Sequence, residues 1–186
     1  MRNLIYAINL TIDGCFDHTP TVADDELLEY YTRLVRDADL LVYGRKTYQM
    51  MVPYWPDILK NPTGETKADI EFARAFESCK KIVFSRTLDR VEEKNTRIVR
   101  TDLRDEILKL KQEQGNNILV AAGIDLPSQL IQLGLVDEYY FVVYPVVAGE
   151  GRRLLDVISL QKKPELKLVE STIFKSGTVA LHYLKQ

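Results

Sequence analysis

Leu40-Leu41-Val42-Tyr43-Gly44-Arg45-Lys46-Thr47-Tyr48 is an apolar run that ends on glycine and passes at once to two cations and a hydroxyl. That order predicts a buried strand, a close backbone turn and a cationic helix start, the arrangement by which α/β proteins hold a phosphate. Gly44 has no side chain, so the backbone can turn sharply there and approach a ligand, leaving the N–H groups of the next turn unpaired. Arg45 offers two parallel hydrogen bonds to a phosphate, Lys46 a point charge and Thr47 a hydroxyl. The same four residues also fit an ordinary strand-to-helix turn with solvated cations, so the choice falls to the rest of the chain.

Upstream, Asn3 to Ile12 is a β-rich run with Leu4, Tyr6, Ile8 and Leu10 on one face, ended by the turn Asp13-Gly14. Asp24, Asp25 and Glu26 then open a segment whose apolar positions Leu27, Leu28, Tyr31, Leu34 and Val35 follow the helical period. Downstream, Pro53, Pro56, Pro62 and Gly64 break up the stretch after Thr47 and predict a mobile loop. Phe72, Phe76 and Cys79 space a helix over Thr66 to Ser78, and Lys81 to Ser85 follows as a strand ending on the polar pair Ser85-Arg86. Thr96 to Val99 is a strand, Asp102 caps a helix carrying Leu103, Ile107 and Leu110, and Asn117 to Ala122 returns as a strand. Ala122-Gly123 then meets Asp125 and a helix through Leu126, Leu130 and Ile131. Repeated β-α-β order implies a largely parallel sheet with right-handed crossovers.

The last third changes character. Val136 to Val147, Lys167 to Phe174 and Thr178 to Leu184 are strand-rich, and the last two meet across Lys175-Ser176-Gly177 as a hairpin, so antiparallel strands finish the sheet. With 186 residues, 46% of them hydrophobic, and neither repeats nor low-complexity segments, the chain fits one domain spanning 1–186.

Composition excludes several chemistries. A formal net charge of −2 without a basic stripe argues against nucleic-acid binding. The N-terminal strand lacks a signal-peptide layout and no apolar stretch approaches the roughly 20 residues that cross a bilayer, which predicts a soluble cytoplasmic protein without a membrane partner. Cys15 and Cys79 lack Cys-x-x-Cys spacing, so no metal site is expected. Only His18 and His182 are present, and His182 falls in an alternating strand as a packed or surface residue. A serine hydrolase would need a Gly-x-Ser-x-Gly elbow, which the chain lacks.

Taken together, Tyr6-Ala7-Ile8-Asn9-Leu10-Thr11-Ile12-Asp13-Gly14, Gly44-Arg45-Lys46-Thr47-Tyr48, Phe84-Ser85-Arg86-Thr87-Leu88, Ala122-Gly123, Gly134-Leu135-Val136-Asp137-Glu138 and Pro145-Val146-Val147-Ala148-Gly149-Glu150-Gly151 resemble the dihydrofolate-reductase-like superfamily. More narrowly, they resemble the C-terminal reductase domain of riboflavin biosynthesis enzymes and its stand-alone bacterial relatives, over essentially the whole chain. The resemblance implies a dihydrofolate-reductase-like three-layer α/β/α fold, with a mostly parallel central sheet and antiparallel C-terminal strands, and an NADPH-dependent reductase. It implies that Gly44, Arg45, Lys46 and Thr47 with Ser85 and Arg86 hold the adenosine side of NADPH, while Ala122, Gly123 and Ile124 lie under the pyrophosphate. Arg45, Lys46 and Arg86 match the charge of a 2′-phosphate. The family shows two glycines where this chain has Ala122-Gly123, so the Ala122 methyl is expected to crowd the pyrophosphate and weaken cofactor contact.

On the substrate side, Asp13 resembles the aspartate of the family's Leu-Asp-Gly segment and is the candidate catalytic residue, orienting a donor-rich ring or relaying a proton; an aspartate in a plain Asp-Gly turn is the competing reading. The riboflavin enzymes often carry a lysine two places later, where this chain has Cys15 and then Phe16, which argues against a phosphoribosyl substrate. A Leu-Pro-Trp segment of the folate enzymes is absent. Phe16, Tyr48, Tyr54 and Trp55 are candidate walls for a flat heterocycle, with Trp55 placed in a lid or interface by its flanking prolines; core packing is the alternative. Glu138 is read as a solubilising strand-start residue; Tyr139 to Tyr144, apolar on both faces, needs cover, which a fully buried central position or a dimer contact would supply, and the family resemblance implies a homodimer using the C-terminal strands. The expected activity is hydride transfer from NADPH to a pyrimidine-, pteridine- or flavin-like heterocycle. A non-catalytic nucleotide-binding or dimeric structural protein with an eroded site is the rival.

Overall fold

In a computed structural model, described here for residues 1–16, 23–121, 123–156, 159, 160 and 163–186, strands and helices alternate as the hydrophobic pattern demands. In chain order they are β1 (Leu4–Thr11), α1 (Asp25–Asp37), β2 (Ala38–Gly44), α2 (Arg45–Lys60), α3 (Lys67–Ser78), β3 (Lys80–Phe84), β4 (Thr96–Val99), α4 (Leu103–Gln112), β5 (Asn117–Ala121), α5 (Asp125–Gln132), β6 (Glu138–Tyr144), β7 (Leu166–Ile173) and β8 (Val179–Lys185). Among the described residues the strands form one sheet in the order β4-β3-β2-β5-β1-β6-β8-β7. The pairs from β4 to β6 are parallel, and β8 pairs antiparallel with β6 and β7.

Each sheet face has its own core. Ile5, Ala7, Leu41, Tyr43 and Val83 point to α1, α2 and α3, where they meet Leu34, Val52, Phe72 and Phe76. Leu4, Tyr6, Ile8, Val42 and Ile82 point the other way, to Ile107, Leu110, Leu126 and Leu130 of α4 and α5. The strict alternation of Leu4, Tyr6 and Ile8 with Ile5 and Ala7 is what a strand buried on both faces requires. No helix among the described residues is long and apolar enough to cross a membrane.

The mobile loop expected after Thr47 is corrected. Pro53 and Pro56 both lie inside α2, and the break comes only after Lys60, through Asn61 and Gly64. An interior proline costs about 3 kcal/mol or more by removing a helical hydrogen bond. Tyr48, Val52 and Ile58 are buried on the inner face, each contributing roughly 1.5–3 kcal/mol, and Met51 and Trp55 pack beside them. Burial of that face is of the same size as the cost of the two breaks and offsets it, a balance that local punctuation does not reveal.

β6 lies between β1 and β8, so the apolarity of Tyr139 to Tyr144 on both faces serves the interior of the sheet. Glu138 is likewise no simple solubilising residue. It accepts from Asn3 Nδ2 at 2.7 Å and pairs with His182 Nε2 at 2.9 Å, while the His182 ring stacks on Tyr140 at 4.0 Å. His18 lies outside the described residues. Both thiols are free and buried.

Candidate functional site

The parallel register sets Gly44, Phe84 and Val99 side by side at the carboxyl ends of β2, β3 and β4. The chain leaves each strand there with a cation close behind: Arg45 and Lys46, then Arg86, then Arg100. β5 ends beside β2 and leads through Gly123 into α5. These turns enclose an open cleft of about 740 Å³, lined by 44–47, 84–86, 99–103 and 123–127, with Phe16 and Arg152. Open α/β sheets bind ligands at this edge.

Helix capping distinguishes the cleft from the rest of the surface. Side chains of Asp24, Thr66 and Asp102 accept the first N–H groups of α1, α3 and α4. By contrast α2 starts at Gly44 and α5 at Ile124, with no side-chain cap bond at either. Both starts border the cleft, so two sets of unpaired N–H donors and two positive dipole ends converge on it. Arg45, Lys46, Arg86 and Arg100 have no carboxylate partner among the described residues.

The need for glycine lies elsewhere than the sequence suggests. Gly44 has φ −80° and ψ 160°, an extended backbone open to any residue, and an added Cβ would rest 3.7 Å from Leu126 Cβ in ordinary contact. The sharp turn expected there is corrected to a plain strand-to-helix step. Gly123 has φ +80°, and a Cβ on it would come within 2.8 Å of Thr47 Oγ1. The turn before α5 and the first turn of α2 are thus pressed together, and Tyr6 holds the former from below by donating its buried hydroxyl to Gly123 O at 2.9 Å. Ala122 lies outside the described residues, and the expected crowding by its methyl with it.

The turn after β3 is pinned on both sides. Ser85 Oγ accepts from the backbone N–H of Thr87 at 3.2 Å and of Leu88 at 2.9 Å, and Ser85 N–H donates to Val99 O at 3.2 Å. Arg100 Nη2 donates to Leu88 O at 2.6 Å. Opposite, Phe16 N–H donates to Arg152 O at 2.8 Å and the Arg152 guanidinium lies 5.5 Å from the Phe16 ring centroid.

The structure therefore brings Gly44, Arg45, Lys46, Thr47, Ser85, Arg86, Gly123, Ile124 and Phe16 to one cleft. Five other candidates, Asp13, Cys15, Tyr48, Tyr54 and Trp55, lie outside its lining, Tyr54 being exposed with its ring edge-on to Trp55 at 4.9 Å. The Asp13 carboxylate accepts from Thr11 Oγ1 at 2.6 Å, Ala148 N–H at 3.0 Å and Gly149 N–H at 2.9 Å. Those donors, the Thr11 hydroxyl foremost, hold it well below the usual carboxylate range, so Asp13 is an ionised tie between the end of β1 and the loop after β6. Cys15 is fully buried beneath that tie, its backbone bridged to Arg153. Tyr48 is a buried residue of the helical layer, its hydroxyl bonded to Glu93, and burial followed by that bond pushes its pKa up. Trp55 packs on Phe72 at a centroid distance of 4.3 Å, which corrects its placement in a lid. The prolines that put Trp55 in a loop lie inside α2, and the helix turns both Tyr48 and Trp55 toward the core of α1 and α3.

Arg100, Arg152 and the first turns of α4 and α5 were missed. For Arg100 a signal exists, since it follows a strand end as directly as Arg45 does. Arg152 reaches the cleft only through the pairing of 15–16 with 152–153, for which the sequence holds no sign.

Comparison with known proteins places this geometry in context. A family profile described as the RibD C-terminal domain matches residues 2–180. The uncharacterized protein YyaP of Bacillus subtilis (strain 168) is 31% identical over 185 residues, covering 98% of this chain and 94% of that protein. Among solved structures, Acinetobacter baumannii RibD superposes with a TM-score of 0.71 at 18% identity, over 100% of this chain and 58% of that one. A pyrimidine reductase-like protein from Corynebacterium diphtheriae superposes at 0.68 and 14% identity, over 100% and 92%. At those identities the two structures establish the fold alone.

Proposed function

The chain belongs to the RibD C-terminal domain family, and from that premise we propose that it is a reductase that binds NADPH in the cleft and reduces a small pyrimidine-, pteridine- or flavin-like heterocycle. The observation that carries this reading is the convergence on one cleft of two helix starts without a side-chain cap bond and four cations that have no carboxylate partner among the described residues. A dinucleotide with a 2′-phosphate needs such a set, because its charges must be met by donors at several points along its length.

The residues fit the group. The N–H groups opening α2 and α5 would hold the pyrophosphate, with Gly123 keeping its turn close to Thr47. Arg45, Lys46 and Arg86 would take the 2′-phosphate. When bound, NADPH supplies a hydride from its nicotinamide ring. The chain's own part is to orient and to exclude water: Phe16, fixed to Arg152 through the backbone and with the Arg152 guanidinium over its ring, would wall the cleft beside a flat heterocycle. Titration calorimetry with NADPH and NADH at fixed salt tests this, with tighter binding of NADPH expected. Equal binding, or none, overturns the cofactor assignment.

One observation favours a second reading, a nucleotide-binding protein without turnover: the Asp13 carboxylate is fully engaged and ionised, and so supplies no proton. NADPH binding with no oxidation across a panel of pterins, pyrimidines and flavins would support it.

The proposed homodimer uses the outer strands. Leu168 and Ile173 on β7 are 49% and 78% exposed and pair with Tyr183 and Val179 of β8, extending an apolar strip beyond the interior of the sheet.

A further inference from the structure

We propose that Arg100 is a specificity-determining residue of the cleft, closing on the 2′-phosphate of the cofactor together with Arg86. The inference rests on the cofactor reading above. β3 and β4 are adjacent parallel strands with Phe84 opposite Val99, about 4.8 Å apart, and the ladder runs one step further through Ser85 N–H and Val99 O. Arg86 and Arg100 thus leave neighbouring points of one sheet edge, and both line the same cleft. The turn that carries Arg86 is closed by the Ser85 hydroxyl and tied down by the bond from Arg100 Nη2 to Leu88 O. That bond uses one of the five N–H donors of Arg100 and fixes where its guanidinium sits; the remaining donors are available to a ligand.

Two cations that leave neighbouring strand ends and line one cleft repel each other, and an anion bound between them relieves that repulsion. Neither has a carboxylate partner among the described residues. Asp102, next to Arg100 but one, directs Oδ1 to the backbone N–H of Arg104 and Asp105 as the cap of α4 and does not neutralise the pair. A dianionic phosphate, met by forks from two sides, is the group this arrangement suits. Without a 2′-phosphate, as in NADH, the remaining donors of Arg100 meet no group of the cofactor.

The test is calorimetric titration of NADPH and NADH into wild type, Arg100→Gln, Arg100→Lys and Arg86→Gln, with melting temperature followed in parallel. Loss of one charge-assisted contact is expected to weaken NADPH about tenfold or more in Arg100→Gln while NADH changes less than about twofold, with partial recovery in Arg100→Lys. Arg86→Gln should do the same. NADPH preference that survives Arg100→Gln, or an equal loss for both cofactors with a lowered melting temperature, overturns the proposal and leaves Arg100 as a tether for Leu88. A wild-type protein without NADPH preference overturns the cofactor reading and this inference together.

Discussion

Gly123→Ala is the sharpest probe of how the cleft is built. The substitution meets two obstacles: a left-handed backbone at φ +80°, and a new Cβ 2.8 Å from Thr47 Oγ1. An L-residue in that conformation costs roughly 1–2 kcal/mol. Relief of the contact turns Thr47 away from its preferred rotamer, at about 0.5–1.5 kcal/mol. The sum, about 1.5–3.5 kcal/mol, is large against the 5–15 kcal/mol that typically holds a domain together. Urea unfolding should therefore show a lower midpoint for Gly123→Ala with an unchanged slope. The double variant Gly123→Ala, Thr47→Ala removes the hydroxyl and should recover the rotamer share while the backbone share persists. The two variants should also bind NADPH more weakly than wild type, since both positions border the cleft. A single variant within about 0.5 kcal/mol of wild type would refute the reasoning, because neither the backbone conformation nor the contact could then be as described.

Other expectations follow from the same geometry. Trp55→Ala should lower stability by about 3 kcal/mol through loss of the Phe72 contact while leaving NADPH affinity unchanged; a variant of normal stability with impaired binding would return Trp55 to the cleft. Asp13 is depressed in the folded state, so the stability it supplies is complete above its unfolded-chain value of about 3.9 and disappears as pH falls toward the folded value. The urea midpoint of wild type should hence drop more steeply than that of Asp13→Asn between pH 6 and pH 3, and parallel curves would remove Asp13 from its role as a tie. Ile173→Glu combined with Leu168→Lys should shift the protein from dimer to monomer in light scattering after gel filtration. A monomeric wild type, or a dimer indifferent to both changes, rules out the β7 strip as the contact.

The order of elements was legible from the chain because it depends on short-range rules. Leu4, Tyr6 and Ile8 alternate with Ile5 and Ala7, Asp24 and Asp102 stand where helices must be capped, and Gly44-Arg45 marks the passage from strand to helix. Those signals specify an α/β fold with a cationic strand edge, and the family resemblance follows from their order. What lay beyond reach depended on partners distant in sequence. α2 runs through Pro53 and Pro56 because Tyr48, Val52 and Ile58 find a core to enter, an energy that no local propensity contains. Asp13 became a tie because the backbone N–H groups of Ala148 and Gly149, some 135 residues away, arrive at its carboxylate. Arg100 joined Arg86 because β3 and β4 pair in parallel register, and Gly123 is constrained because α2 brings Thr47 against it. The sequence by itself determined which groups sit at strand ends and helix starts; only the tertiary structure decided which of those ends share one cleft, since that is a matter of sheet order and packing between segments far apart in the chain.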